Sequence, residues 1–308
     1  MEIALQFVLL ALGFVMLGKG ADWFVEGAAG IAMRFGIPQL VIGLTIVAMG
    51  TSAPEAAVSI AAAVKGNADI TIGNIVGSNI LNILIILGLA ASIVPIAVAR
   101  STVRIEMPFM IAITALLFYQ GRDGSISLAD GGVLMVAFAV YMMYLYTMAM
   151  KSNVDSDLEE PGLPLGRCLL GAVGGLALII AGSNVTVGAA TSIATYAGLS
   201  ERFIGLTIVA LGTSLPELFT SVAAARRGNA DIAIGNIVGS NIFNILFVVG
   251  LSSLIIDIPF ASAFNFDTYV ALGSAVLLWL CVLRTQRLQR WAGALMLVCY
   301  AAYLGYIL

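Results

Sequence analysis

The sequence predicts an all-α membrane protein: ten transmembrane helices as two inverted five-helix repeats, each carrying one broken helix. Three observations predict it. Of the 308 residues, 61% are hydrophobic and only 10% charged, with a mean hydropathy of +1.06, far above the roughly half-apolar usage of soluble domains. A helix that crosses a bilayer needs about 20 apolar residues, and the chain offers ten such stretches. Residues 42–89 align without a gap with residues 204–251, at a constant offset of 162, and 35 of those 48 positions are identical.

The first stretch covers residues 3–18, with an apolar continuation toward Phe35, and Glu2 is the only charge ahead of the run Ile3 to Leu17. The positive n-region of a signal peptide is missing, so this reads as a first transmembrane helix. Spans two to five cover 38–64, 70–95, 105–119 and 128–149 and complete a first repeat over residues 1–150. Lys151 to Pro164 is the only sizeable polar stretch and marks a linker over 151–165. Its acidic residues Asp155, Asp157, Glu159 and Glu160 lack the spacing and turn glycine of an EF-hand, so they read as solvated charge. Spans six to ten cover 166–187, 203–225, 232–256, 267–283 and 291–308, the second repeat over 166–308. Ten spans use most of the chain, so loops are short and no extramembrane domain is expected.

Composition also removes whole classes of chemistry. The net charge of −3 comes from 14 basic and 17 acidic residues, too little Lys and Arg for a nucleic-acid footprint. There is no histidine, which excludes a Ser-His or Cys-His dyad, a haem ligand and a His-ligated zinc site. Cys168, Cys281 and Cys299 are odd in number and scattered through apolar stretches, which fits small membrane-embedded hydrophobes better than disulfides or a thiolate cluster. The chain is therefore not read as an enzyme; no cofactor or nucleic-acid partner is expected, and its surroundings are the lipid bilayer. Lys and Arg favour cytoplasmic loops. One alternate set of loops holds 11 of the 14, and the other only Lys65, Arg122 and Arg202. That bias places the chain in a cell membrane, plasma or inner, with both termini extracytoplasmic and the linker cytoplasmic.

Each repeat half holds five spans, so the second must enter the membrane from the opposite side, the arrangement typical of secondary transporters. Glu55 and Glu217 fall near the centres of spans two and seven, and they are the only acidic residues the reading places near the bilayer midplane. A carboxylate there costs several kcal/mol unless paired. No Lys, Arg or His lies at matching depth, so a bound cation is the natural partner. Pro54 and Pro216 break their helices and deprive the carbonyls of Gly50 and Gly212 of their usual donors. Backbone oxygens near Ala48, Thr51, Ala210 and Thr213, with the hydroxyls of Thr51, Ser52, Thr213 and Ser214, supply neutral oxygen ligands. Oxygen-only coordination suits Ca2+ and Na+. On the following spans Asn74, Ser78 and Asn82, and Asn236, Ser240 and Asn244, recur every fourth residue as polar stripes. Such stripes either bond neighbouring helices or line a polar site, and their repetition beside two Pro-Glu breaks favours the site.

The motifs GTSAPE with GNIVGSNILN, and GTSLPE with GNIVGSNIFN, resemble the paired alpha-repeats of the sodium/calcium exchanger family, within the calcium:cation antiporter superfamily. The resemblance extends over essentially the whole chain and is to prokaryotic-type members, since the large regulatory insert of animal members is absent. It implies four cation sites between spans two, three, seven and eight. The ligands it implies are Ala48, Thr51, Ser52, Glu55 and Ser78, with Ala210, Thr213, Ser214, Glu217 and Ser240, and Asn82 and Asn244 line the centre. Family members often carry Asp at one of these last two positions, notably in the potassium-dependent branch; two Asn imply a neutral centre without K+ co-transport.

The expected function is a secondary antiporter that exchanges Ca2+ for Na+ by alternating access, the two carboxylates being matched by one Ca2+ or by two Na+. The resemblance implies that spans one and six move against the remaining bundle, and the glycines Gly18, Gly20 and Gly182 fit that movement. The chain is expected to act as a monomer. The alternatives are an H+-coupled cation antiporter of the same fold, in which a midplane Glu trades a proton for a cation, and a passive cation channel.

Overall fold

The computed structural model describes residues 2–66, 68–152, 163–198 and 210–307. The acidic run of the linker, Arg202 and residues 203–209 of the expected seventh span lie outside the described residues. The described residues form, in order, the helical elements α1 (Glu2–Arg34), α2 (Gln39–Thr51), α3 (Ala53–Val64), α4 (Ile70–Ile93), α5 (Thr102–Asp123), α6 (Leu128–Lys151), α7 (Leu165–Tyr196), α8 (Ala210–Thr213), α9 (Leu215–Arg226), α10 (Ala230–Ile255), α11 (Phe264–Leu283) and α12 (Arg290–Ile307). Among the described residues eight helices are long and apolar enough to cross a membrane, or nine when α2 and α3 count as one bent span.

Helix α7 runs well past its expected end at 187, and α1 takes in the apolar continuation toward Phe35. Helix α1 has 33 residues and α7 has 32, about 50 Å of helix against a hydrocarbon core of about 30 Å, long enough to cross at a steep tilt. Lys19, Asp22 and Glu26 do not stop α1, because Asp22 and Glu26 sit one turn apart and meet Arg227, beyond the end of α9, at 3.3 and 3.1 Å. In α7 the hydroxyls of Ser192 and Thr195 donate to carbonyls four residues back, at 2.9 Å each, so polar residues past 187 are satisfied within the helix.

The halves interlock with a common register. Helices α1 and α7 pack so closely that a Cβ on Gly20 would lie 2.9 Å from the Gly175 carbonyl, and one on Gly13 would lie 3.1 Å from that of Gly182. Gly13 and Gly175, and Gly20 and Gly182, are related by the 162-residue offset, so the seam is a pair of equivalent contacts. Gly20 and Gly182 thus serve close packing inside long helices. Strand β1 (Ile96–Ala97) pairs antiparallel with β4 (Arg287–Leu288), and β2 (Ser125–Ile126) with β3 (Ile258–Pro259). Ile96 faces Leu288 and Ile126 faces Ile258, again the same contact carried 162 residues along.

Helices α4 and α10 form the centre; α10 is buried along most of its length, whereas α1, α6 and α12 expose large apolar side chains such as Phe7, Val136, Val140 and Val298. This outward apolar surface is what lipid requires. Both central helices widen into a π-turn segment, Asn82–Leu87 and Asn244–Val249, a feature frequent at functional sites.

Candidate cation site

The site is built at two helix breaks. Ser52 leaves helical geometry with φ −83° and ψ 6°, and Ser214 does so with φ −90° and ψ 4°; each is followed by a new helix with proline in its first turn. Proline has no N–H and its ring clashes with the preceding turn, and the axes of α2 and α3 accordingly meet at a bend of 51°. Glu55 and Glu217 fall in the first turns of α3 and α9, where the helix N-terminus favours negative charge. The carbonyls of Gly50 and Gly212 are not left bare, as the sequence reading had them. Backbone N–H groups at the Ser52 cap take up Gly50, and Ser183 on α7 donates its hydroxyl to the Gly212 oxygen at 2.7 Å.

Both glutamates are 1% exposed, and each is held by a serine from the other half. Ser52 Oγ donates to Glu217 Oε1 at 2.7 Å, and Ser214 Oγ to Glu55 Oε1 at 3.4 Å. Each carboxyl therefore has one oxygen engaged. The second oxygens, Glu55 Oε2 and Glu217 Oε2, are buried without a hydrogen-bond partner among the described residues, and so are Asn82 Oδ1 and Asn244 Oδ1. Buried polar atoms are almost always satisfied; eight others among the described residues also lack a partner, Glu106 Oε2 included, but only these four form two pairs related by the 162-residue offset, and they mark a place shaped for something positively charged.

Of the neutral groups expected from the sequence, Ser52 and Ser214 reach the glutamates directly. Ala48, Thr51, Ser52 and Ser78 of the first half are buried, as are Ser214 and Ser240 of the second; Ala210 and half-buried Thr213 lie in α8. Ser240 Oγ donates to the Ala48 carbonyl at 3.4 Å, bringing α10 against α2. Thr51 Oγ1 lies 3.0 Å from Asn236 Oδ1 and 3.1 Å from the Val47 carbonyl, so its single proton is used within the protein.

The polar stripes divide into two roles. Asn74 donates to Ser59 Oγ at 2.9 Å and to the Glu55 carbonyl at 3.3 Å; Asn236 donates to Ser221 Oγ at 2.9 Å and to the Glu217 carbonyl at 3.4 Å. These two asparagines stitch the Glu-bearing helices to α4 and α10 and spend their N–H groups doing so. Asn82 and Asn244 keep an oxygen unspent. Sequence reasoning missed Asn79 and Asn241, which bond to each other and to the central asparagines across the two halves; both are polar residues inside identical repeat blocks, the signal that would have found them. It also missed Glu106, a third carboxyl, fully buried in the π-turn that opens α5 and bonded by the Tyr144 hydroxyl of α6. Its position at the edge of an apolar stretch hid it.

Comparison with known proteins bears on the same residues. The chain matches the family described as sodium/calcium exchanger protein over residues 5–147 and 168–308. It is 38% identical over 305 residues to the inner membrane protein YrbG of Escherichia coli (strain K12), covering 94% of this chain and 92% of that protein. It is 33% identical over 350 residues to the sodium/calcium exchanger MaX1 of Methanosarcina acetivorans, covering 98% of each. Among solved structures, that of the sodium-calcium exchanger NCX_Mj soaked with Na+ and Sr2+ superposes with a TM-score of 0.86 at 34% identity, over 98% of this chain and 99% of the other. The matched segments run through both halves and span the duplicated motifs, and the chain belongs to the sodium/calcium exchanger family, an integral membrane protein among transporters rather than enzymes.

Proposed function

We propose that this protein is a secondary active antiporter that exchanges Ca2+ for Na+ by alternating access, with both ions competing for one buried oxygen cage. The observation that carries the reading is the quartet of unpartnered oxygens on Glu55, Glu217, Asn82 and Asn244. Among the described residues no Lys or Arg is buried, so the charge on two carboxylates is left for a cation to match. Ca2+ takes about 6–8 oxygen ligands, and the hydroxyls and carbonyls of Ala48, Thr51, Ser52 and Ser78, with Ala210, Thr213, Ser214 and Ser240, extend the quartet toward that number. The names of the relatives MaX1 and NCX_Mj, both sodium/calcium exchangers, support the same pair of ions.

The architecture we infer for transport is ten spans in two inverted five-helix repeats, residues 1–150 and 166–308, with the 151–165 linker cytoplasmic, both termini extracytoplasmic and one chain as the working unit. The equivalent strand pairings, the paired glycine contacts between α1 and α7, and the reciprocal Ser-Glu bonds, all related by one offset, support a pseudo-twofold molecule. The 11-to-3 division of basic residues supports the orientation. The deciding experiment is 45Ca2+ uptake into proteoliposomes under imposed Na+, K+ or H+ gradients. Uptake against a Ca2+ gradient driven by Na+ is expected; uptake driven by H+ alone would reassign the coupling ion, and downhill flux alone would make the protein a channel.

A further inference from the structure

The two asparagines missed by the sequence reading impose a direction on the site. Asn79 Nδ2 donates to the backbone oxygen of Asn241 at 3.3 Å, and Asn241 Nδ2 donates to the backbone oxygen of Asn79 at 3.2 Å. A carbonyl oxygen only accepts, so both amides must turn their nitrogen toward the opposite backbone and their oxygen away from it. Those oxygens are in use: Asn82 Nδ2 donates to Asn241 Oδ1 at 2.9 Å, and Asn244 Nδ2 to Asn79 Oδ1 at 3.1 Å. With its nitrogen pinned in one direction, a carboxamide shows its oxygen in the other, and Asn82 Oδ1 and Asn244 Oδ1 are the two orphaned amide oxygens of the quartet. Reversing Asn82 or Asn244 alone would set oxygen against oxygen. Reversing Asn79 or Asn241 with it would only move the clash onto a backbone carbonyl.

We propose that Asn79 and Asn241 are positioning residues for the cation site: anchored on two backbone carbonyls, they relay polarity so that Asn82 and Asn244 offer oxygen, and never N–H, to the bound ion. The inference rests on the cation reading above. It accounts for how an uncharged asparagine serves at the centre, since an amide already fixed with its oxygen inward spares the ion the cost of turning it. A carboxylate needs no such control, because both of its ends are oxygen.

That difference supplies the test. Asn79→Leu, close to isosteric and lacking both polar atoms, is made in the wild-type background and in Asn244→Asp, and 45Ca2+ binding to purified protein is measured with thermal unfolding as the control for folding. In the wild-type background Asn79→Leu should weaken Ca2+ binding about tenfold, the scale of losing one neutral polar interaction, and should raise the half-saturating Ca2+ for exchange more than it lowers the maximal rate. In the Asn244→Asp background the same change should leave binding unchanged or tighter, because aspartate has no donor to misdirect and Asn79 Oδ1 then opposes it. Equal losses in both backgrounds would mean that Asn79 only packs α4 against α10, and no loss in either would likewise overturn the proposal. If Asn79→Leu does not fold, Asn241→Leu with Asn82→Asp repeats the cycle on the equivalent arm. A wild type that binds no Ca2+ would instead overturn the cation reading itself.

Discussion

At the scale of single residues, the site depends on which oxygens are spoken for. Glu55 and Glu217 each commit one oxygen to a serine of the other half and leave one bare. Glu55→Gln or Glu217→Gln keeps the shape and an acceptor for that serine while removing charge, so Ca2+ flux should be abolished with thermal unfolding little changed; a folded variant that exchanges Ca2+ at the normal rate would make the glutamates structural. Thr51→Ala should be milder, lowering flux only in part and stability by about 1 kcal/mol, since the bonds it loses, to Asn236 and the Val47 carbonyl, are neutral ones. Glu55, Ser52 and Thr51 were legible because polar residues mid-span announce themselves. Asn79 was not, because it lies one residue from the Ser78 stripe and its partner Asn241 is 162 positions away. Periodicity along one helix carries no information about a clasp between two.

At the scale of elements, proline and glycine spell out the breaks, and distant contacts decide helix length. The α2–α3 bend was readable from Pro54 alone. How the charges inside α1 are answered was not, since Arg227 reaches Asp22 and Glu26 from the other half. Tyr144, which bonds buried Glu106 across α5 and α6, is a further tie of this kind. Tyr144→Phe should lower stability by about 1–3 kcal/mol by stranding a buried carboxyl, read as a fall in the unfolding temperature in detergent, with half-saturating Ca2+ unaltered because the bond joins α5 to α6, neither of which carries a member of the quartet. The α1–α7 seam must shift to admit even a methyl at Gly20, where a Cβ would lie 2.9 Å from Ile179 and Gly175 atoms. Gly20→Ala should therefore lower the unfolding temperature and cut the exchange rate more than it shifts half-saturating Ca2+, the signature expected if α1 and α7 move together while the ligands stay on other helices.

At the scale of the whole molecule, one offset relates the strand pairs, the glycine seam, the Ser-Glu bonds and the amide clasp, and in the site we propose Asn82 and Asn244 add no charge. Na+-driven Ca2+ flux should accordingly be the same with and without K+; a strict K+ requirement would overturn that assignment. Introduced cysteines at position 153 and on a C-terminal extension should differ in labelling by an impermeant thiol reagent in intact cells, the C-terminal one reacting. The sequence by itself determined that the chain lives in a bilayer, that it is duplicated, where it breaks and which carboxyls are stranded, because hydropathy, proline stereochemistry and the cost of a buried charge act locally along the chain. Only the tertiary structure decided that Ser52 serves Glu217 and not Glu55, that Asn74 stitches while Asn82 keeps a bare oxygen, and that two amides set the polarity of two others. Hydrogen-bond direction depends on which donor meets which acceptor across packed helices, and that pairing exists only once the two halves have been brought together.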